Sequence, residues 1–245
     1  MRIALFSDIH ANLPAFEAFL ADLDRRKPDV VYCLGDLVGY NVWPNEVIAE
    51  VQRRGIATLA GNHDLKVKNL APIDIDQLNL SGKNYAYHLI TEKNREYLTA
   101  LPTHIKLEYQ LGDEKLGILF THGSPRSVDE YVLEDTNEDY VLELMAEAGA
   151  DILCVGHSHK PYHRIIERQG AIKQVVNIGS VGKPKDGNPL GCYVLITINK
   201  NSFTKITSGI QVAFIRFEYD IEKAANAIEN SPLPVELADR LRKAY

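Results

Sequence analysis

Apolar positions along the first third of the chain alternate between short continuous runs and helical spacing. Residues 2–7 form an apolar run that predicts a strand, and a polar turn follows at 8–12. Leu13, Phe16, Phe19, Leu20 and Leu23 recur at intervals of three and four, so the spacing predicts a helix over Leu13–Arg26. Asn12 is its natural N-cap, and Pro14 falls in its first turn. A second strand over 30–34, a loop at 35–40, a helix over 45–54, a third strand over 56–60 and a turn at 61–64 repeat the scheme. Parallel strands joined by helices open their functional loops at the strands' carboxyl ends, and all three polar turns fall there.

Residues 65–103 hold no strand pattern. The stretch 78–101 predicts one or two helices with Tyr85, Leu89, Tyr97, Leu98 and Leu101 as the buried stripe. The second half is richer in strands. Hairpins are predicted for 104–111 with 115–121, turning at 112–114, and for 163–168 with 172–177. A third is predicted for 193–198 with 204–210, turning at 199–201, with 211–219 a further strand. Helices are expected over Glu138–Ala148, where Gly149 stops the pattern, over Ile221–Glu229, and over 235–245 beyond Pro232 and Pro234. A strand is expected over Ile152–Val155. No repeat or linker divides the chain, so one domain covering 1–245 is expected, with two sheets covered by helices. A plain dinucleotide-binding fold is disfavoured, because the first loop reads Ser7-Asp8-Ile9-His10 and carries no G-x-G-x-x-G.

The 245 residues are 45% hydrophobic and 24% charged, which excludes disordered, collagenous and coiled-coil chains. The net charge of -6 speaks against a nucleic-acid partner, which calls for a basic surface. No apolar run reaches the ~18 residues of a membrane span, so no membrane partner is expected. Nor does the N-terminus read as a signal peptide, because Asp8 and His10 stop its apolar stretch. Cys33, Cys154 and Cys192 sit in strand-like runs without any C-x-x-C, as buried thiols of a reducing compartment would. The expected localisation is cytoplasmic.

Five polar clusters each follow a predicted strand: Asp8-Ile9-His10, Gly35-Asp36, Gly61-Asn62-His63-Asp64, Thr121-His122-Gly123 and Gly156-His157-Ser158-His159. Five of the eight histidines lie in these loops, so the signal is joint even though each cluster is weak alone. Carboxylate, imidazole and amide oxygen together suit divalent Mn, Fe, Ni or Zn, whereas pure oxygen donors would suit Mg or Ca. His88, His104 and His163 lie outside the clusters and read as surface or core residues.

Taken in order, these blocks resemble the calcineurin-like metallophosphoesterases, whose pattern D-x-H, G-D-x-x-G, G-N-H-[D/E], H and G-H-x-H is complete here. The stretches 7–13 and 177–184 resemble the family's small bacterial and archaeal phosphodiesterase branch. The resemblance implies an α/β fold, a four-layer α/β/β/α sandwich of two mixed β-sheets flanked by helices. It further implies two divalent metal ions, manganese foremost, with iron, nickel or zinc as alternatives. Asp8, His10 and His159 would hold one ion, Asn62, His122 and His157 the other, and Asp36 would bridge them. His63 would be the catalytic histidine, protonated near neutral pH and held by Asp64. The implied reaction is hydrolysis of a small soluble phosphodiester, phosphomonoester or nucleotide by a metal-bridging hydroxide. The rival readings are a nuclease of the same chemistry and a non-catalytic binding protein that has kept the fold.

Arg126 is a candidate phosphate clamp, weighed against a solvated loop arginine. Tyr40, Asn41 and Trp43 are candidates for stacking on a base or aryl leaving group, weighed against core packing. Lys183 and Lys185 stand where related chains often carry Gln and Arg, so they bear on the substrate rim. The sequence leaves the substrate, the native metal and the oligomeric state open.

Overall fold

The computed structural model of the chain describes residues 1–70, 73, 75–78, 82–111, 114–199 and 209–245. Ten strands form two mixed sheets of five. The first sheet runs β10-β9-β1-β2-β3, with β1 (Arg2–Phe6), β2 (Val30–Cys33), β3 (Ala57–Thr58), β9 (Gly191–Ile198) and β10 (Ile210–Phe217). Within it β1, β2 and β3 are parallel, while β9 is antiparallel to both β1 and β10. The second sheet runs β4-β5-β6-β8-β7, with β4 (His104–Leu111), β5 (Glu114–Thr121), β6 (Ile152–Val155), β7 (Tyr162–Arg168) and β8 (Ala171–Asn177). Here β5, β6 and β8 are parallel, and the two edge strands are antiparallel.

Strand alternation builds three cores between four layers. Ile3 and Leu5 of β1 face Ile118, Phe120, Ile152 and Cys154 of the second sheet. Their neighbours Ala4 and Phe6 face the other way, onto Phe16, Phe19 and Leu20 of α1 (Leu13–Arg26) and Val47, Ile48 and Val51 of α2 (Pro44–Arg53). On the far side Leu119, Leu153 and Val155 pack on Val141, Leu144 and Met145 of α7 (Glu138–Ala148). The result is the expected α/β/β/α sandwich. A fourth cluster seats α8 (Ile221–Glu229) and α9 (Glu236–Lys243) against Tyr40, Val42, Trp43 and Ala86.

Most elements fall where the hydrophobic pattern puts them, and Asn12 caps α1 by accepting from the Ala15 N–H. Three differences have physical causes. The partner of β9 is Ile210–Phe217, in full eight-residue register, not 204–210. Residues 200–208, with the expected turn and most of that strand, lie outside the described residues, as do 112–113 and 79–81. The third strand shrinks to Ala57–Thr58, because an edge strand pairs on one side only. The stretch 85–100 breaks into α5 (Tyr85–His88) and α6 (Glu92–Ala100), since Thr91 is extended (ψ 154°). The short helices α3 (Asn62–Lys66) and α4 (Ile75–Leu78) complete the described set. All three cysteines are buried and unpaired, and among the described residues no helix is long and apolar enough to cross a membrane.

Candidate metal centre

The loops after β1, β2, β3, β5 and β6 converge at one rim of the sandwich. Backbone hydrogen bonding continues past the strand ends and holds them there. The Asp8, His10 and Ala11 N–H groups donate to Gly35, Asp36 and Leu37 carbonyls at 3.0, 3.0 and 2.8 Å, and Gly156 donates to His122 at 2.8 Å. Gly35 (φ +86°) lies so close to Gly61 that a Cβ would stand 2.3 Å from the Gly61 nitrogen. Only bare backbone on both sides lets the Asp36 and Asn62 loops meet. Asp8, His10, Asp36, His157 and His159 all have φ between 51° and 63°, a left-handed conformation uncommon outside glycine.

These turns bring all seven expected ligand residues together. Three groups have donor atoms mutually within 4.8 Å: Asp8, His10 and His159; Asp36, His122 and His157; and, between them, His10, Asp36 and His63. Asp36 belongs to both sides, for its Oδ2 lies 3.6 Å from His10 Nε2 and 3.3 Å from His122 Nε2. Asn62 presents Oδ1 to His122 Nε2 at 3.1 Å.

The protons have little freedom. His10 Nδ1 donates to the Val38 carbonyl at 3.0 Å, His122 Nδ1 to Leu34 at 2.8 Å, and His159 Nδ1 to Lys183. With Nδ1 so committed, each ring has only its Nε2 left to point inward, the atom through which a neutral histidine would ligate. Nε2 of His10 and His159 approach to 3.2 Å, and His159 Nε2 is 3.1 Å from Asp8 Oδ1. Asp8 Oδ1 and Asp36 Oδ2 are buried without a hydrogen-bond partner. Converging lone pairs and orphaned carboxylate oxygens repel one another unless cations stand among them. The donor set fits divalent metal.

The electrostatics agree. Burial alone would raise the Asp8 and Asp36 carboxyls, yet His159 and His10 hold the first, and His122 and His63 the second, well below the carboxylate range. Against its burial, His122 is carried up to about 10 by Asp36. Burial takes His159 down to about 4 and lowers His157, whose Nε2 donates to the Asp129 carbonyl at 3.2 Å.

His63 stands beside this centre, its ring edge-on to His10 at 4.9 Å. Asp64 does not hold it. The buried Asp64 carboxylate instead accepts the N–H groups of Asp36 (2.7 Å), Leu37 (2.9 Å) and Gly61 (3.0 Å), so it clamps the loop that carries Asp36. The partner of His63 Nδ1 is the Tyr87 hydroxyl, 24 residues away and outside every motif. Burial pulls His63 down to about 3, so its ring is neutral at pH 7 before substrate arrives, contrary to the protonated acid expected.

Arg126 is corrected as well. Its guanidinium is spent on Glu143 (2.6 Å) and Glu147 (2.6 and 3.0 Å) at the surface of α7 and does not face the centre. Tyr40 does face it: its ring packs on His10 and His63, both at 4.7 Å. Asn41 and Trp43 serve the fold, the first donating to the His10 carbonyl at 3.1 Å and the second packing near α8 and α9. Tyr131 stacks on His157 at 4.1 Å while half exposed, a residue that no motif marks. His88, His104 and His163 join none of the ligand groups.

Residues 1–201 match the calcineurin-like phosphoesterase superfamily domain. The chain is 32% identical to an uncharacterized protein of Methanocaldococcus jannaschii, over 98% of this chain and 96% of that one. It superposes on a metallophosphoesterase from Sphaerobacter thermophilus with a TM-score of 0.76, at 26% identity over 100% of this chain and 99% of the other. A hypothetical protein from Pyrococcus horikoshii shares the fold, with a TM-score of 0.77 at 22% identity over 100% and 98% of the two chains.

Proposed function

The chain belongs to the calcineurin-like phosphoesterase superfamily, and from that premise we propose that it is a phosphodiesterase working with two divalent cations. The carrying observation is the pair of ligand groups joined through Asp36, with an orphaned carboxylate oxygen on each side. In this reading Asp8, His10 and His159 would hold one cation and Asn62, His122 and His157 the other, with Asp36 shared between them. Manganese suits the mixed oxygen and nitrogen donors, with iron, nickel or zinc as alternatives. Two cations held there would supply Lewis acidity and neutralise charge on the phosphoryl oxygens.

The chain's own groups do the rest. Tyr40 walls one side of the centre and excludes water from the ring faces of His10 and His63. With Tyr87 donating to Nδ1, neutral His63 carries its proton on Nε2 and offers it as a hydrogen bond to the departing oxygen. A bound phosphate dianion or monoanion counters the burial that lowers His63, so binding draws the ring toward the imidazolium that can release that proton. Tyr87 then accepts from Nδ1–H, and the hydroxyl serves in either direction. The substrates fitting this reading are small soluble esters in the cytoplasm, in keeping with three free thiols and the acidic net charge.

Elemental analysis after reconstitution should give two divalent ions per chain. Bis-p-nitrophenyl phosphate should be cleaved with Mn²⁺ and spared once a chelator is added. Rapid phosphomonoester turnover without diester cleavage would replace the diesterase reading with a phosphatase, and no bound metal would end both.

A further inference from the structure

Lys183 is 1% exposed, and its Nζ has no hydrogen-bond acceptor. Its neighbour is the face of Tyr40, 4.6 Å from the ring centroid. A buried amine held only by an aromatic face is costly to keep charged, and burial, with Lys185 beside it, lowers Lys183 to about 7. Lys185 and Arg240 both act on Lys183, and Arg240 acts on Lys185, while Asp8 opposes them at both lysines and Asp36 at Lys185. The Arg240 Nε is also buried and unpartnered.

The nearby acids are committed elsewhere. Asp186 pairs with Arg216, and Asp239 with Lys243. Asp8 and Asp36 turn their free oxygens toward the histidines. Among the described residues, no carboxylate forms an ion pair with these three cations. They are nonetheless firmly placed. The Lys183 N–H donates to Ser180 Oγ at 2.8 Å, its carbonyl accepts from His159, and Gly187 N–H donates to the Ala244 carbonyl at 2.9 Å, docking the loop on the end of α9. Tyr40 touches Lys183 on one side and His10 and His63 on the other, so the cationic corner lies one ring's width from the metal centre.

We propose that Lys183, Lys185 and Arg240 form an anion subsite, and that the substrate is a phosphate ester bearing a second phosphate group apart from the scissile one. This rests on the phosphoesterase reading and narrows it, because a simple uncharged diester arm would leave the corner unanswered. The second phosphate lies beyond Tyr40, with its oxygens accepting from the Lys183 ammonium and the Arg240 guanidinium.

The test compares thymidine 3′,5′-bisphosphate with thymidine 5′-monophosphate by calorimetry at the same manganese loading. Their 5′-p-nitrophenyl esters, with and without the 3′-phosphate, supply the turnover arm. The expected result is at least tenfold tighter binding of the bisphosphate, and a kcat/KM preference of similar size for the ester that carries the second phosphate. Lys183→Gln should reduce both preferences about tenfold or more. Arg240→Gln, on α9 and outside the Lys183 loop itself, should reduce them in the same direction should Lys183→Gln fold poorly. Equal binding of the two nucleotides overturns the subsite, and so does a preference that survives both substitutions. If the bisphosphate preference appears and depends on Lys183 but neither ester is cleaved, the subsite stands and the phosphoesterase reading falls.

Discussion

Replacing Asp64 by asparagine distinguishes a loop clamp from a partner of His63. Oδ2 accepts from the Asp36 and Gly61 N–H groups, and Oδ1 from Leu37. Asparagine keeps one acceptor oxygen and turns an NH₂ against at least one of these donors. Burial together with the Asp36 charge pushes the Asp64 carboxyl up to about 7, so a neutral amide escapes much of the desolvation cost. What remains is a buried N–H facing another donor, worth about 1–3 kcal/mol. For a chain of this length each kcal/mol moves Tm by about 2–4 °C, so Asp64→Asn should lower the Tm of chelator-treated protein by roughly 5 °C. The same loosening lets the Asp36 loop drift, and manganese affinity should fall by about 10- to 100-fold, as it does when a ligand's support is removed. Thermal unfolding with chelator and a manganese titration read the two effects separately. An unchanged Tm and full metal content, with only kcat reduced, would refute the clamp and return Asp64 to the side of His63.

His63→Ala should keep both cations and lower kcat by about 10²–10⁴-fold with a smaller change in KM, the loss shrinking for p-nitrophenolate esters; loss of a metal would make it a ligand. Tyr87→Phe should lower kcat in the same direction but less, with metal content intact. Arg126→Ala should leave kcat/KM within about twofold, because its guanidinium is bound to Glu143 and Glu147. In metal-free protein His63 and His159, held near 3 and 4, lack protons that the unfolded chain takes up below about 6.5. Asp64, held near 7, binds one proton more than its unfolded form between about 4 and 7. The balance is about one proton favouring the unfolded state, so stability should fall by about 1.4 kcal/mol per pH unit from about pH 6.5 down to about 4. Urea unfolding with chelator at several pH values checks the slope.

The convergence of the seven candidate ligands was legible because each follows a strand whose apolar run announces itself, from Asp8 after β1 to His159 after β6. Periodicity finds the strand, and the polar break after it finds the site. Tyr87 escaped because its link to His63 is made by packing across 24 residues, and a tyrosine at helical spacing looks like core, which it also is. Asp64 misled because adjacency in sequence suggests contact, whereas α3 starts there and sends successive side chains in different directions. Arg126 misled similarly: a short distance from His122 in sequence says nothing of the two glutamates that α7 brings beside it. The register of β9 with 210–217 is set by backbone pairing, which strand propensity does not encode.

The five candidate ligands with left-handed backbones would have an evolutionary consequence. Each non-glycine held near φ +55° costs about 1 kcal/mol relative to glycine, which adopts that conformation freely. Under the proposed function, selection for chemistry would keep Asp8, His10, Asp36, His157 and His159 there, and stability alone would remove them. In a lineage released from catalytic duty, glycine or asparagine at any of these positions is a stabilising substitution, and drift runs toward it. The ligands would then erode before the sandwich does, leaving descendants whose fold outlives its reaction and whose loops are free to be recruited for binding.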